Sequence, residues 1–298
     1  MRVIISGASG LLGTALTRAL RNEGHETVAL LRRAPRAGEV QWDAYKPLDP
    51  AKLAGCDAVV HLAGKNIAGR WTEEFKREVL ESRSITTKIL ATAAAESFRR
   101  TGQPRVFVSA SGIGYYGNRG EEVLTEESRA GTGFLAEVCK QWEAATAPAR
   151  EAGVRVVSLR IGVVLARDGG ALKPMLLPFR LGLGGRIGSG QQWWSWIELD
   201  DVIGAMLFAL ENDSLQGAVN AVAPAAARNS EFVKALGRAL HRPTIFPLPE
   251  FVIRTVMGQM GEELLLTSAH AVPRKLEDAG YAFRHPQLDE ALRAALEP

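Results

Sequence analysis

The sequence is poor in cysteine and histidine for its 298 residues. Two cysteines, Cys56 and Cys139, do not make a disulfide framework. His25, His61, His241, His270 and His285 lie far apart, without an HxxxH or HxH pair. Metal ligands cluster at short spacing, so no metal site is expected. No run approaches the ~18 apolar residues that a membrane-spanning helix needs, and no membrane partner is expected. The N-terminus, Met1-Arg2-Val3-Ile4-Ile5-Ser6-Gly7, passes from an apolar run straight into glycine. That run is too short for the apolar region of a secretion signal, so the expectation is a cytoplasmic protein with reduced thiols. Net charge is only +3. Lysine and arginine form no stripe with interleaved aromatics, which argues against a nucleic-acid partner.

What is present is an ordinary globular composition, 46% hydrophobic and 23% charged, arranged in alternating short and long segments. Strands are expected at Val3–Ser6, Thr27–Leu31, Asp57–Leu62, Arg105–Ser109, Arg155–Ile161 and Ala218–Val222. Helices are expected at Ala15–Asn22, Glu73–Glu96, Phe134–Arg150, Asp200–Leu210 and, capped by Ser230, Glu231–Leu240. The strands are continuous β-branched runs, not alternating ones, which fits parallel strands covered on both faces. The alternation predicts an α/β fold with a Rossmann-type doubly wound parallel sheet. That domain would span residues 1–224, with a substrate-loop insertion around 166–198. A small, mainly helical C-terminal subdomain is expected over 243–298.

Gly7-Ala8-Ser9-Gly10-Leu11-Leu12-Gly13 has the form GxxGxxG between a strand and a helix. Glycine spacing alone is weak; the strand–loop–helix placement makes it specific. Gly7 permits the tight turn, Gly10 lets backbone approach a pyrophosphate, and Gly13 lets helix and strand pack closely. The helix N-terminus offers unpaired N–H groups to the anion. Strand 2 ends Leu31-Arg32-Arg33, where an NAD site usually carries an acid for the ribose hydroxyls. A guanidinium there suits a 2′-phosphate, so the cofactor expected is NADP(H).

Beyond that loop, Asp57-Ala58-Val59-Val60-His61-Leu62-Ala63-Gly64 is similar to the fourth strand of extended short-chain dehydrogenases. Gly114-Tyr115-Tyr116-Gly117, Lys140-Gln141-Trp142-Glu143, Leu177-Pro178-Phe179-Arg180 with Gly182 and Gly184, and Trp196-Ile197-Glu198-Leu199-Asp200-Asp201 narrow the likeness. Pro273-Arg274-Lys275-Leu276 adds a C-terminal signature. Together these motifs resemble the epimerase family of atypical short-chain dehydrogenase/reductases, NAD(P)-dependent proteins described as nucleoside-diphosphate-sugar epimerase-like. The resemblance spans nearly the whole chain. It implies that Leu62, Ala63 and Gly64 lie beside the adenosine half of the cofactor, approached by Glu78 and Arg83. It places Ser109 at the cofactor and Val164 near the nicotinamide. A homodimer is compatible with it, because many relatives pair through helices at the sheet edge.

The resemblance also implies a catalytic Ser, with a Tyr and a Lys four residues apart. The Lys cation lowers the Tyr pKa so that a proton can move near neutrality. Ser111 stands where the Ser is expected and Lys140 lies in the expected helix, but the residue four before Lys140 is Ala136. Tyr116, and next to it Tyr115, are the nearest substitutes as proton donor. Glu121, Glu122, Glu126 and Glu127 read as a solvated acidic loop. Asp200 and Asp201 read as helix caps. Trp193, Trp194 and Trp196 fit either a substrate ring or a packed interface. Arg180 and Arg186 fit an anionic small-molecule substrate. Two functions follow: an NADP(H)-dependent oxidoreductase or epimerase acting on an alcohol or carbonyl, such as a sugar nucleotide, or a non-catalytic NADPH-binding sensor or interaction module.

Overall fold

The computed structural model describes residues 1–36 and 38–297. Seven parallel strands form the central sheet: β1 (Arg2–Ser6), β2 (Glu26–Leu31), β3 (Glu39–Gln41), β4 (Ala58–His61), β5 (Val106–Gly112), β7 (Arg155–Ile161) and β12 (Gly217–Ala221). Their order is β3-β2-β1-β4-β5-β7-β12. β1 lies between β2 and β4, so the chain reverses its direction of travel there. Ligands of open α/β sheets bind in the crevice at such a switch point. The seven strands and flanking helices make a Rossmann-type doubly wound sheet, as the sequence pattern predicted.

The continuous apolar runs exist because both faces are covered. In β1, Val3 and Ile5 face one layer with α1 (Leu11–Asn22) and α6 (Leu199–Glu211), whereas Ile4 faces α2 (Glu73–Thr101). All three are buried. Fully burying one such side chain stabilises the fold by about 1.5–3 kcal/mol.

The helix expected at Phe134–Arg150 is two helices, α3 (Phe134–Ala144) and α4 (Ala147–Glu151). Pro148 sits in the first turn of α4, where its missing N–H costs nothing, whereas within a continuing helix it would break the ladder. Ser230 is not the cap expected of it. The helix α7 (Asn229–Leu240) starts two residues before the expected Glu231, with Arg228 at the N-cap, and Glu231 accepts from the Arg228 N–H.

Shorter strands form three smaller sheets. β8 (Val163–Ala166) lies between β9 (Gly169–Gly170) and β11 (Trp196–Glu198), β10 (Trp193–Trp194) pairs with β13 (Ala227–Arg228), and β6 (Val123–Leu124) pairs with β14 (His270–Ala271). α5 (Leu172–Arg180) follows β9. The C-terminal region is helical: α8 (Glu250–Gly261), a π turn at Glu262–Leu266, α9 (Arg274–Asp278) and α10 (Leu288–Leu296). Leu276 of α9 packs into the sheet core, and Leu292 of α10 packs with α7 residues. No helix among the described residues is long and apolar enough to cross a membrane.

Candidate functional site

The glycine loop lies at the switch point, between the ends of β1 and β4. Gly7 has φ +73°, and a Cβ on it would come within 2.7 Å of the Leu62 carbonyl carbon. At Gly13 a Cβ would lie 2.2 Å from the Gly7 carbonyl oxygen. Both positions therefore admit only glycine: one for backbone conformation, the other for the close approach of α1 to the loop. Gly10 is the N-cap of α1 without any capping side chain, and Ser9 and Gly10 are exposed. The first N–H groups of α1 thus have no side-chain cap, and Leu62 and Ala63 lie against the loop at Gly7. The residues present fit a dinucleotide pyrophosphate.

At the end of β2 the two arginines differ. Arg33 is spent on Glu39, its two guanidinium nitrogens meeting the carboxylate at 2.8 and 2.6 Å. The Arg32 side chain is exposed and has no hydrogen-bond or ion-pair partner among the described residues. Arg32 is thus an unpaired cation next to Leu31 among the described residues, and Arg33 braces the loop. Sequence alone does not separate the pair, because Glu39 is six positions from Arg33 and in a different strand.

On α2, Glu78 is held in a close ion pair by Lys65, just beyond Gly64. Arg83 packs its guanidinium against Gly64, where a Cβ would lie 3.2 Å from Cζ, and over the Trp142 ring at 4.9 Å. Arg83 donates to the Val79 carbonyl at 3.1 Å and has no carboxylate partner among the described residues. Burial lowers its pKa. A desolvated cation without a counter-ion is costly and suits an anionic or hydroxyl-bearing ligand. Beneath the loop, His61 is buried between Ser6 Oγ at 2.5 Å and Thr86 Oγ1 at 3.3 Å. Burial pushes its pKa down to about 3, so it is a neutral structural imidazole.

Several expected residues are placed elsewhere. Ser109 is fully buried within β5, and its hydroxyl donates to the Ala110 carbonyl, so it offers nothing to a cofactor. Lys140 points outward, its Nζ 2.7 Å from Glu137 Oε2. The face of α3 that meets the end of β5 carries Leu135 and Cys139. Leu135 Cβ lies 3.0 Å from where a side chain on Gly114 would begin, and Cys139 Sγ lies 3.8 Å from the equivalent point on Gly112. Leu135 and Cys139 are four residues apart and face the end of β5, where the resemblance expects the Tyr and the Lys; Lys140 does not. Leucine moves no proton. Burial raises the Cys139 pKa to about 11, which leaves a neutral thiol where the family's mechanism wants a cation.

Tyr116 is also corrected. It is fully buried, and its hydroxyl donates toward the Thr125 carbonyl at 3.0 Å or Asn220 Oδ1 at 2.7 Å and accepts from Arg160 at 3.0 Å. Burial pushes its pKa up to about 12. It is a bolt between β5, β7 and β12, not a proton donor to substrate. Tyr115 remains half-buried, its ring on the Arg160 guanidinium at 3.4 Å and its hydroxyl without a partner among the described residues. Ser111 Oγ donates to Glu143 Oε1 at 2.8 Å, and Arg160 binds the same carboxylate at 2.8 and 2.9 Å. With its proton so committed, Ser111 has lone pairs left to accept from a substrate hydroxyl. Glu143 and Arg160 are the residues that sequence reasoning missed. Only the register of β5 with β7, which sets Ser111 opposite Arg160, brings them together.

Other readings settle as packing. Glu126 is buried, accepting from the Asn220 and Lys275 N–H groups, and is no part of a solvated loop. Glu121 binds Arg228 and the Trp193 indole, which hold its pKa down to about 2. Glu198, not Asp200, caps α6, and the buried Asp201 accepts from the Arg284 and His285 N–H groups. Trp194 and Trp196 are core, and Trp193 stacks on His270 with ring centroids 4.2 Å apart. Val164 sits half-buried in β8, beside β11.

A parallel sheet with a glycine loop at its switch point defines a dinucleotide-binding protein of the Rossmann type. Residues 3–222 match the NAD dependent epimerase/dehydratase family, and residues 248–295 match a domain of unknown function, DUF1731. The chain belongs to the NAD-dependent epimerase/dehydratase family. It is similar to an epimerase family protein of Mycobacterium leprae, 43% identical over 98% of this chain and 95% of that protein. The human epimerase family protein SDR39U1 is 42% identical over 98% of this chain and 99% of that one. The crystal structure of the human protein with NADPH superposes with a TM-score of 0.90 at 40% identity, covering 99% of both chains. A nucleoside-diphosphate sugar epimerase structure from Corynebacterium glutamicum gives 0.83 at 38% identity, covering 99% of this chain and 58% of that one.

Proposed function

We propose that this chain binds NADP(H) and acts as an oxidoreductase or epimerase on an alcohol or carbonyl carbon. The observation that carries the reading is the unpartnered Arg32 beside an intact glycine loop. The similarity to a protein crystallised with NADPH supports it. Gly7, Ser9, Gly10, Leu11, Leu12 and Gly13 cradle the pyrophosphate, Arg32 meets the 2′-phosphate, and Leu62, Ala63 and Gly64 flank the adenosine. Glu78 and Arg83 close that side, and Val164 lies towards the nicotinamide. When bound, the cofactor supplies or takes the hydride. Ser111, polarised by Glu143, accepts from the substrate hydroxyl, and Tyr115, whose ring lies on Arg160, offers a hydroxyl without a partner among the described residues. Nucleotide sugars are the first substrates to test, on the strength of the family.

The test is a fluorescence titration with NADPH and NADH. The chain should prefer NADPH. Arg32→Ala should weaken NADPH about 10- to 150-fold, the loss of one charge-assisted contact, and leave NADH unchanged. Equal affinities in the parent chain would sink the Arg32 assignment; no binding of either would sink the cofactor reading.

A second reading, a non-catalytic NADPH sensor or interaction module, is favoured by Leu135 and Cys139 at the positions of the Tyr and the Lys. Tight NADPH binding with no NADPH oxidation across a panel of carbonyls and nucleotide sugars would select it. Turnover that falls at least ~100-fold in Tyr115→Phe would select the enzyme, that being the low end of what a positioned acid contributes.

A further inference from the structure

Twelve large apolar side chains stand exposed among the described residues, and eight of them fall within 177–183 and 245–256. Two stretches far apart in sequence make this one surface. The Phe246 N–H donates to Gly184 at 3.2 Å, the Leu248 N–H to Arg186 at 2.8 Å, and Arg242 Nε to the Arg180 carbonyl at 2.8 Å. Leu177, Leu181, Ile245, Phe246 and Phe251 are each more than half exposed. They stand at the surface. Pro243, Pro247 and Pro249 restrict the backbone that displays Ile245 and Phe246, which lowers the entropy cost of presenting them. Exposed apolar patches beyond a few hundred Å² mark interaction surfaces.

The rim is cationic. On α5, Lys173, Leu177, Arg180 and Leu181 share one outward face, since residues four apart are neighbours on a helix. Next to it a shallow depression is lined by Lys234, Arg238, His241, Arg242 and Thr244. Arg238 and Arg254 are paired with Asp289 and Glu262. Lys173, Arg180, Arg186, Lys234 and Arg242 are exposed and have no carboxylate partner among the described residues; Glu250 is the unpaired acid among them. A two-fold contact with a second copy would set these cations against themselves. Projecting apolar tips within a basic field match the interface of an anionic bilayer, which takes side chains to headgroup depth without needing a complementary shape.

We propose that the α5/245–256 ridge docks the protein peripherally on an anionic membrane surface, with Ile245, Phe246 and Leu181 entering the interface and Arg180, Arg242 and Lys234 facing lipid phosphates. The test is co-sedimentation of the full chain with vesicles of phosphatidylglycerol and phosphatidylcholine, against vesicles of phosphatidylcholine alone. Binding should require the anionic lipid and weaken with salt. Ile245→Asp with Phe246→Asp should abolish it, and Arg180→Gln with Arg242→Gln should each weaken it about fivefold. Both pairs should keep the NADPH affinity of the parent, which separates a failed surface from a failed fold or cofactor site. No binding to anionic vesicles, or binding that both pairs leave intact, overturns the proposal. So does full competition by millimolar inorganic phosphate, which would assign the depression to a soluble anion. Concentration-dependent dimerisation abolished by the aspartates, without vesicle binding, would assign the ridge to a second copy.

Discussion

At the β1 end of the cleft, Gly7 and Gly13 meet requirements that no other residue satisfies, and Arg32 has no partner among the described residues at the edge of β2. At the β5 end, the face of α3 that should carry a proton donor and a cation carries Leu135 and Cys139, while Ser111 is tied to Glu143. One end keeps its geometry because backbone must approach a ligand there. The other presents packing side chains, and its charge lies in the pair between Glu143 and Arg160. That pair is nearly dry, with side-chain exposures of 16% and 4%. The glycine loop and the β5 end thus differ in what they offer a ligand: open backbone at one, tied side chains at the other.

The largest effect that would break this contrast is expected at Gly13. Gly13→Ala places a methyl 2.2 Å from the Gly7 carbonyl oxygen, so α1 must move away from the loop. NADPH affinity should fall at least ~100-fold, about 2.7 kcal/mol, in a titration of protein shown to be folded by circular dichroism. A variant that binds within threefold of the parent would show that the loop does not receive the pyrophosphate.

Next comes the buried pair. Arg160→Met leaves the Glu143 carboxylate without its guanidinium, and breaking a buried pair costs about 3–5 kcal/mol. Urea denaturation should show that loss, and Arg160→Met with Glu143→Leu should recover much of it. If the single variant loses less than ~1 kcal/mol, the pair is not what holds the β5 end together.

The smallest effect is expected at Lys140. Its ion pair with Glu137 is about half exposed on both sides, and such pairs contribute about 0–1 kcal/mol. Lys140→Ala should leave both NADPH affinity and stability nearly unchanged. A tenfold loss of cofactor affinity would restore Lys140 to the cleft and overturn the assignment of Leu135 and Cys139.

The nucleotide half was legible because its signals are local. GxxGxxG, the strand before it and the helix after it occupy consecutive residues, and so do Leu31, Arg32 and Arg33. The reaction half was legible only to within one residue. Helix periodicity places Ala136 and Lys140 four apart as readily as Leu135 and Cys139, and only the packing of α3 on Gly112 and Gly114 decides between them. Tyr115 and Tyr116 are adjacent and chemically identical, yet one is free at its hydroxyl and the other is bolted to Asn220 and Arg160.

By itself the sequence determined the α/β class, six of the seven strands of the central sheet, the glycine loop and the basic end of β2. Those depend on hydrophobic period, on backbone freedom and on residue type at one place in the chain. Tertiary structure alone decided which arginine is free, which tyrosine is buried, where Glu143 meets Ser111 and which apolar stretches share one exposed ridge. Each of these is a contact between residues distant in sequence. Desolvation and partner distance set the chemistry of a side chain, and both exist only once the chain has folded.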